Sequence, residues 1–252
     1  MPARPPMDAS TGALTEDLRL ARIIALVAGL CVLALLFAAY SARTPPPQLL
    51  PVPQSATASA VQETGPATVV LAGGCFWGVQ AVFQHTRGVL SAVSGYAGGS
   101  ASDATYAAVS AGGTQHAEAV QVRYDPATIS LGELLQVFFS VAHDPTEVNR
   151  QGPDSGPQYR SAVFYDNPAQ RQMALDYIAQ LNASKLLSAP VATEVTALNG
   201  FYRAEPEHQD YVALNPGAPY VAIHDVPKLR NLQTLLPSRF MGQPLLVGQV
   251  PN

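Results

Sequence analysis

The sequence predicts an α+β domain of two layers, a sheet with helices packed on it. Strand-like runs recur at Thr68–Ala72, Val89–Gly95, Ala117–Tyr124, Arg160–Tyr165 and Thr193–Leu198. Stretches of helical periodicity lie between several of them, but without the strict strand–helix alternation that a parallel α/β sheet requires. With 252 residues, 48% of them hydrophobic, the chain suits one such domain with additions.

Three segments precede the domain. Residues 1–22 form a short polar start that ends in Arg19 and Arg22. Residues 23–42 carry no charged side chain and have the length of a transmembrane helix, about 20 residues for a ~30 Å hydrocarbon core. Arginines on its N-terminal side hold that end in the cytoplasm, so the bulk of the chain is expected on the non-cytoplasmic, periplasmic or extracytoplasmic side. The rival reading is a signal peptide cut near Ala39-Tyr40-Ser41, which releases a secreted domain; the apolar run exceeds the usual 7–15 residues of such a core. Residues 43–66, rich in Pro, Ala, Ser and Thr, are expected to be an extended tether.

The domain is expected to occupy residues 67–220. Thr68–Ala72 reads as a buried strand and Cys75–His85 as a helix. Val89–Gly95 runs as a strand into Tyr96-Ala97-Gly98-Gly99, and a short helix is expected over Asp103–Ser110. After the half-buried strand Ala117–Tyr124 and a turn at Asp125-Pro126, Ser130 and Glu133 form a capping box for the next helix. His143–Tyr159, rich in Pro, Gly, Asp and Asn, reads as one long loop, a length that usually signals function. Asn167 and Pro168 start a helix that reaches Ser184. Phe201–Asn215 is expected to be loop with a helical turn or two, and residues 221–252, with five prolines from Pro219 to Pro251 in and just before them, an irregular extension.

Charge narrows the partners. Arg4, Arg19, Arg22 and Arg43 balance Asp8, Glu16, Asp17 and Glu63, so the net −4 belongs to the residues after Pro66, and no basic patch recommends nucleic acid. The two cysteines, Cys31 and Cys75, provide neither a disulfide framework nor a cysteine-based zinc site. Cys31 falls inside the apolar run; Cys75 opens a helix, where unpaired N–H groups and the positive end of the dipole are expected to lower its pKa. A cysteine hydrolase would need a histidine base, and His116, His143 and His208 are all eligible by spacing. His116-x-Glu118 and His143-Asp144 match no standard helical metal motif, so no metal is expected.

A set of collinear motifs goes further. Gly74-Cys75-Phe76-Trp77-Gly78, Gly95-Tyr96-Ala97-Gly98-Gly99, the run from Tyr106 to His116-Ala117-Glu118, Tyr124-Asp125-Pro126 and the stretch from Asp144 to Ser161 together resemble the A-type peptide methionine sulfoxide reductases over Thr68–Asn215. The resemblance implies that family's fold, a mixed sheet in a two-layer sandwich with helices. It implies that Cys75 attacks the sulfur of methionine S-sulfoxide, free or in oxidised proteins, and becomes a sulfenic acid. The carboxylic acid at Glu118 then protonates the sulfoxide oxygen, which requires burial to hold its proton. Tyr106 and Tyr159 match phenols that hydrogen-bond that oxygen, and Asp154 a second acid that orders the site. Phe76 and Trp77 match the cage around the substrate methyl, an aromatic–sulfur contact of roughly 0.3–1.5 kcal/mol.

Departures from the family pattern accompany these matches. Gln115 stands where a glycine is usual and Glu207 where a tyrosine is common, both able to reshape the pocket rim. No cysteine follows Cys75, whereas many members carry resolving cysteines near the C-terminus. No bound cofactor is implied; an external thiol, from a thioredoxin-like protein, a glutaredoxin or a small thiol, must regenerate Cys75. The other readings are the cysteine hydrolase and a catalytically silent module that binds methionine or its sulfoxide.

Overall fold

The computed structural model describes residues 22, 24–29, 31, 47–54 and 65–249. The chain divides into two units, Met1–Pro46 and Pro47–Asn252. In the first, the described residues are helical. The rest of the expected cytoplasmic segment 1–22 and membrane span 23–42 lies outside the described residues, among which no helix is long and apolar enough to cross a membrane.

The second unit is built on a six-stranded sheet. Its strands are β1 (Ala67–Gly73), β2 (Val89–Ala97), β3 (Ala117–Tyr124), β6 (Ser161–Tyr165), β7 (Glu194–Ala197) and β8 (Phe201–Arg203), in the order β7-β6-β1-β3-β2-β8. Every pairing is antiparallel except β6 with β7, so the sheet is mixed. A parallel pair needs a crossover, and the helix Pro168–Ser184 supplies it; Asn167 caps that helix by accepting from Gln170 N at 2.9 Å.

Alternation along the central strands sorts their side chains. Val69 and Leu71 of β1 enter the main core, while Val70 and Ala72 join a smaller, alanine-rich cluster on the opposite face. On β3, Ala117 and Ala119 belong to the small cluster and Val120, Val122 and Tyr124 to the main core. The same period of two places Glu118 on the main-core face. Three helices contribute several side chains each to that core: α1 (Phe76–Gln84), α3 (Leu131–Val137), which follows α2 (Tyr106–Ser110), and the crossover helix, α4; Val109 of α2 and Leu232 near the C-terminus join them. Ser130 and Glu133 form the expected capping box of α3.

The structure corrects four expectations. The tether is not free over its whole described length: Pro47–Gln54 docks on the domain, with Leu50 2% exposed. Leu50 N donates to Ser140 Oγ, Gln136 Nε2 donates to Leu50 O, and Tyr177 OH donates to Pro51 O. Prolines leave their carbonyls available, and Leu50 supplies the apolar surface that is buried while Leu49 and Val52 stay exposed.

The expected loop 143–159 contains a two-stranded hairpin of β4 (Arg150–Gln151) and β5 (Asp154–Ser155), then the 3-10 turn Pro157–Tyr159. Phe201–Arg203, expected as loop, pairs with β2 as an edge strand. Residues 221–235, placed in an irregular extension, are helical: α5 (Tyr211–Leu214) is followed by a π-type turn, Val221–Asp225, that runs into α6 (Val226–Leu235). Pro227 is the second residue of α6.

Candidate active site

Gly74, at φ +89, turns the chain from β1 into α1, and a Cβ there would fall 2.5 Å from Gln151 Cβ. Cys75 follows as the N-cap of α1. The next N–H along, that of Phe76, donates to Glu118 Oε2 at 3.0 Å. A carboxyl group delivered by β3 thus occupies one of the orphan donors at the helix start. Glu118 is 2% exposed.

These residues open onto a cavity of about 220 Å³. Cys75 and Glu118 line it together with Tyr106, Asp154 and Tyr159, and with Phe76 and Trp77 as walls. All seven residues singled out in the sequence therefore meet at one cavity, from α1, α2, β3, the β4–β5 hairpin and the 3-10 turn. An eighth lining residue, Tyr220, was missed because it precedes a stretch read as irregular; its hydroxyl donates to Asp154 Oδ2. Its only sequence signal is an aromatic residue between two prolines' worth of turn and an apolar run.

Burial governs the electrostatics. Glu118 is pushed up to about 8, chiefly by desolvation with a smaller push from Asp154, against the Phe76 N–H, which favours the carboxylate. Cys75 runs against expectation. Desolvation raises its thiol well above the usual range, the charges of Glu118 and Asp225 raise it further, and the Trp77 N–H and Lys228 pull it down. The Trp77 N–H at the helix start does favour the thiolate, but burial outweighs it, and the neighbouring Phe76 N–H is taken by Glu118. Burial and the surrounding carboxylates raise Tyr106, Tyr159 and Tyr220 as well, so all three phenols keep their protons and can donate.

Neighbours fix the walls. The Trp77 indole stacks on Tyr211 at 3.8 Å and donates from Nε1 to His208 Nδ1 at 3.3 Å. His208 in turn stacks on Tyr106 at 4.1 Å. Glu205 accepts from Tyr106 N at 2.9 Å and from Tyr96 OH at 2.7 Å, which ties the start of α2 to the sheet.

The other histidines are engaged elsewhere. His116 is fully buried: Nδ1 accepts from Gly99 N, and Nε2 faces Ser100 O and Asp103. His143 lies between Phe138 O and Ser161 Oγ, and burial lowers it to about 4. Neither lines the cavity, so the hydrolase reading loses these two bases. Gln115 and Glu207 are exposed and do not line it either; Gln115 contributes its carbonyl to Arg160.

Comparison with known proteins agrees with this site. The profile of the family described as peptide methionine sulfoxide reductase matches residues 67–238, and so includes Tyr220 and α6. The peptide methionine sulfoxide reductase MsrA 2 of Mesorhizobium japonicum is 52% identical over 188 residues, 75% of this chain and 96% of that protein. Its namesake from Synechocystis is 51% identical over 179 residues, 71% of this chain and 84% of that one. Among solved structures, reduced Mxr1 from Saccharomyces cerevisiae superposes with a TM-score of 0.57 at 34% identity, over 62% of this chain and 90% of that one. Methionine sulfoxide reductase A of Corynebacterium diphtheriae gives 0.53 at 35% identity, over 69% and 86%. A cysteine and a protonated carboxyl facing one aromatic cavity, on a chain matched from 67 to 238, place this protein in the peptide methionine sulfoxide reductase family.

Proposed function

We propose that this chain reduces methionine S-sulfoxide in oxidised proteins, with Cys75 as nucleophile and Glu118 as acid, and that an external thiol returns Cys75 to its resting state. The observation that carries the reading is Glu118: a carboxyl group that holds its proton to about pH 8 beside a buried cysteine. A sulfoxide sulfur is a poor electrophile until its oxygen is protonated, and Glu118 meets that requirement at neutral pH.

The step balances. The Cys75 sulfur bonds to the sulfoxide sulfur as Glu118 gives a proton to the oxygen and recovers one from the thiol. The oxygen ends on Cys75 as a sulfenic acid, and methionine leaves with the electron pair, its sulfur reduced by two electrons while that of Cys75 is oxidised by two. Tyr106 and Tyr159 donate to the oxygen as it gains charge, and Asp154, held by Tyr220, orders that side of the cavity. Phe76 and Trp77 receive the methyl group.

Regeneration follows from the cysteine count, since no cysteine follows Cys75 in the sequence. A first external thiol attacks the sulfenic sulfur and releases water; a second frees Cys75 from the mixed disulfide. A thioredoxin-like protein supplies both thiols from one molecule, and a glutaredoxin or a small thiol serves the same chemistry. The uncharged run 23–42 behind Arg19 and Arg22 supports a membrane anchor with the domain on the non-cytoplasmic side, which puts the reductant there too.

Single-turnover mass spectrometry with each sulfoxide epimer tests the scheme. One equivalent of the S epimer should yield methionine and a trappable sulfenic acid on Cys75, the R epimer neither, and Cys75→Ser should be inert. Turnover by Cys75→Ser, or an intramolecular disulfide after the S epimer, overturns it.

A further inference from the structure

Against the first turn of α1 lie a carboxylate and an ammonium that the chemistry above does not use. Asp225 closes the π-type turn and is 1% exposed, and neither of its oxygens has a hydrogen-bond partner among the described residues. Among the described residues its ionic partner is Lys228 Nζ, at 3.7 Å, on α6. A buried carboxylate with a single long ion pair is costly to retain and contributes little stability.

Its location is specific. Gly78 is the third residue of α1, and a Cβ there would fall 2.2 Å from Asp225 Oδ1 and 2.7 Å from Lys228 Nζ. The two charges fill the volume of a side chain at the helix start, one turn from Cys75. Other ionisable groups reach Cys75 from every side: Glu118 from β3, Tyr106 from α2, Tyr159 from the 3-10 turn and Tyr220 ahead of α6. The phenols stay neutral and Glu118 is mostly protonated near neutral pH, while His143 is held neutral and Asp154 is engaged by Tyr220. Of the charged side chains that act on the sulfur of Cys75, Asp225 and Lys228 are the two that lie outside the cavity lining, beside the helix terminus itself.

We propose that Asp225 and Lys228 are positioning residues of the reductase that set the electric field at Cys75, the carboxylate holding the thiol proton in place and the ammonium limiting how firmly it is held. The proposal rests on the reductase reading. It gives Gly78 its reason, since any side chain there displaces the pair, and it gives the C-terminal helix a part in a reaction whose other groups come from elsewhere. A resting thiol is a weaker nucleophile toward stray oxidants than a thiolate, so the carboxylate reserves Cys75 for a sulfoxide bound beside Glu118.

The test is the rate at which iodoacetamide alkylates Cys75 in the full-length protein at pH 7, where Glu118 keeps its proton, followed on the Cys75 peptide by mass spectrometry. Asp225→Asn should speed alkylation about tenfold and Lys228→Met slow it about tenfold, each the effect of about one pH unit in thiol ionisation. Lys228→Arg, which keeps the charge, should stay within about twofold of the unaltered protein. Equal rates in all four proteins, or a shift in the same direction for Asp225→Asn and Lys228→Met, overturn the proposal, because a merely structural pair acts without regard to sign. If Asp225→Asn does not fold, Lys228→Met against Lys228→Arg decides alone. Alkylation needs no sulfoxide, so a protein with the expected rate order but no S-epimer reduction contradicts the reductase reading and leaves the charge pair standing.

Discussion

At the residue scale, the chemistry turns on how burial treats two neighbouring acids. Glu118 has a folded-state pKa of about 8 against an ordinary 4.5, so between those values the folded protein binds a proton that the unfolded chain has lost. Stability therefore falls as pH rises from about 4.5 to 8 and then levels off. Glu118→Gln removes that penalty while its amide oxygen still accepts from Phe76 N. The variant should match the original protein in thermal stability near pH 4 and exceed it at pH 9, by an amount on the order of 5 kcal/mol. Its turnover of methionine S-sulfoxide should drop roughly 10²–10⁴-fold, the usual worth of a positioned acid. In the unaltered enzyme, turnover should fall as pH rises through about 8, where Glu118 loses its proton. Melting curves and pH–rate profiles read both effects, and a variant that is neither slower nor more stable at pH 9 excludes the role. Glu118 was legible in the sequence because a family motif carries it; the state of Cys75 was not. A helix start can be read from Gly74-Cys75-Phe76, but the desolvation that opposes it depends on what α5, α6 and β3 stack around the sulfur.

At the element scale, legibility followed periodicity. β1, β3 and α3 were readable because strict alternation and a capping box are local signals. α6 was not, because a proline signals a break by sequence alone while Pro227 sits in a first helical turn, and with α6 went Asp225 and Lys228. Tyr220 was lost for the same reason, although it lines the cavity. The segment 47–54 failed the other way: prolines suggested a free tether, while Leu50 is buried among the core residues of α3 and α4. Leu50→Ala should lower the unfolding free energy by about 2–4 kcal/mol, the range for emptying a well-packed leucine site. Urea denaturation measures it, with turnover in native buffer unchanged because Leu50 does not line the cavity. A midpoint equal to that of the unaltered protein would mean that the docked segment contributes nothing and that the tether extends to Ala67.

At the scale of the whole molecule, the apolar run 23–42 and the docked segment 47–54 together decide how the domain is carried. If 23–42 crosses the membrane and 47–54 already belongs to the domain, few residues separate the bilayer from the first residues in contact with the core. The reductase then works close to the membrane surface, where its thiol donor must also be found. The full chain should resist alkaline extraction from the membrane fraction. In spheroplasts, protease added outside should cut the domain without lysis, and the protein should still carry the residues before Ser41. A mass that begins near Ser41 or Ala42 would establish signal cleavage and a secreted enzyme; protection until lysis would place the domain in the cytoplasm. The same fractions identify the reductant's compartment. Under the anchored arrangement, sulfenic acid on Cys75 accumulates when thiol supply to the outer side is blocked, and cytoplasmic thiols do not clear it. Trapping that sulfenic acid in intact cells, with and without an impermeant thiol added outside, tests the topology and the one-cysteine cycle together.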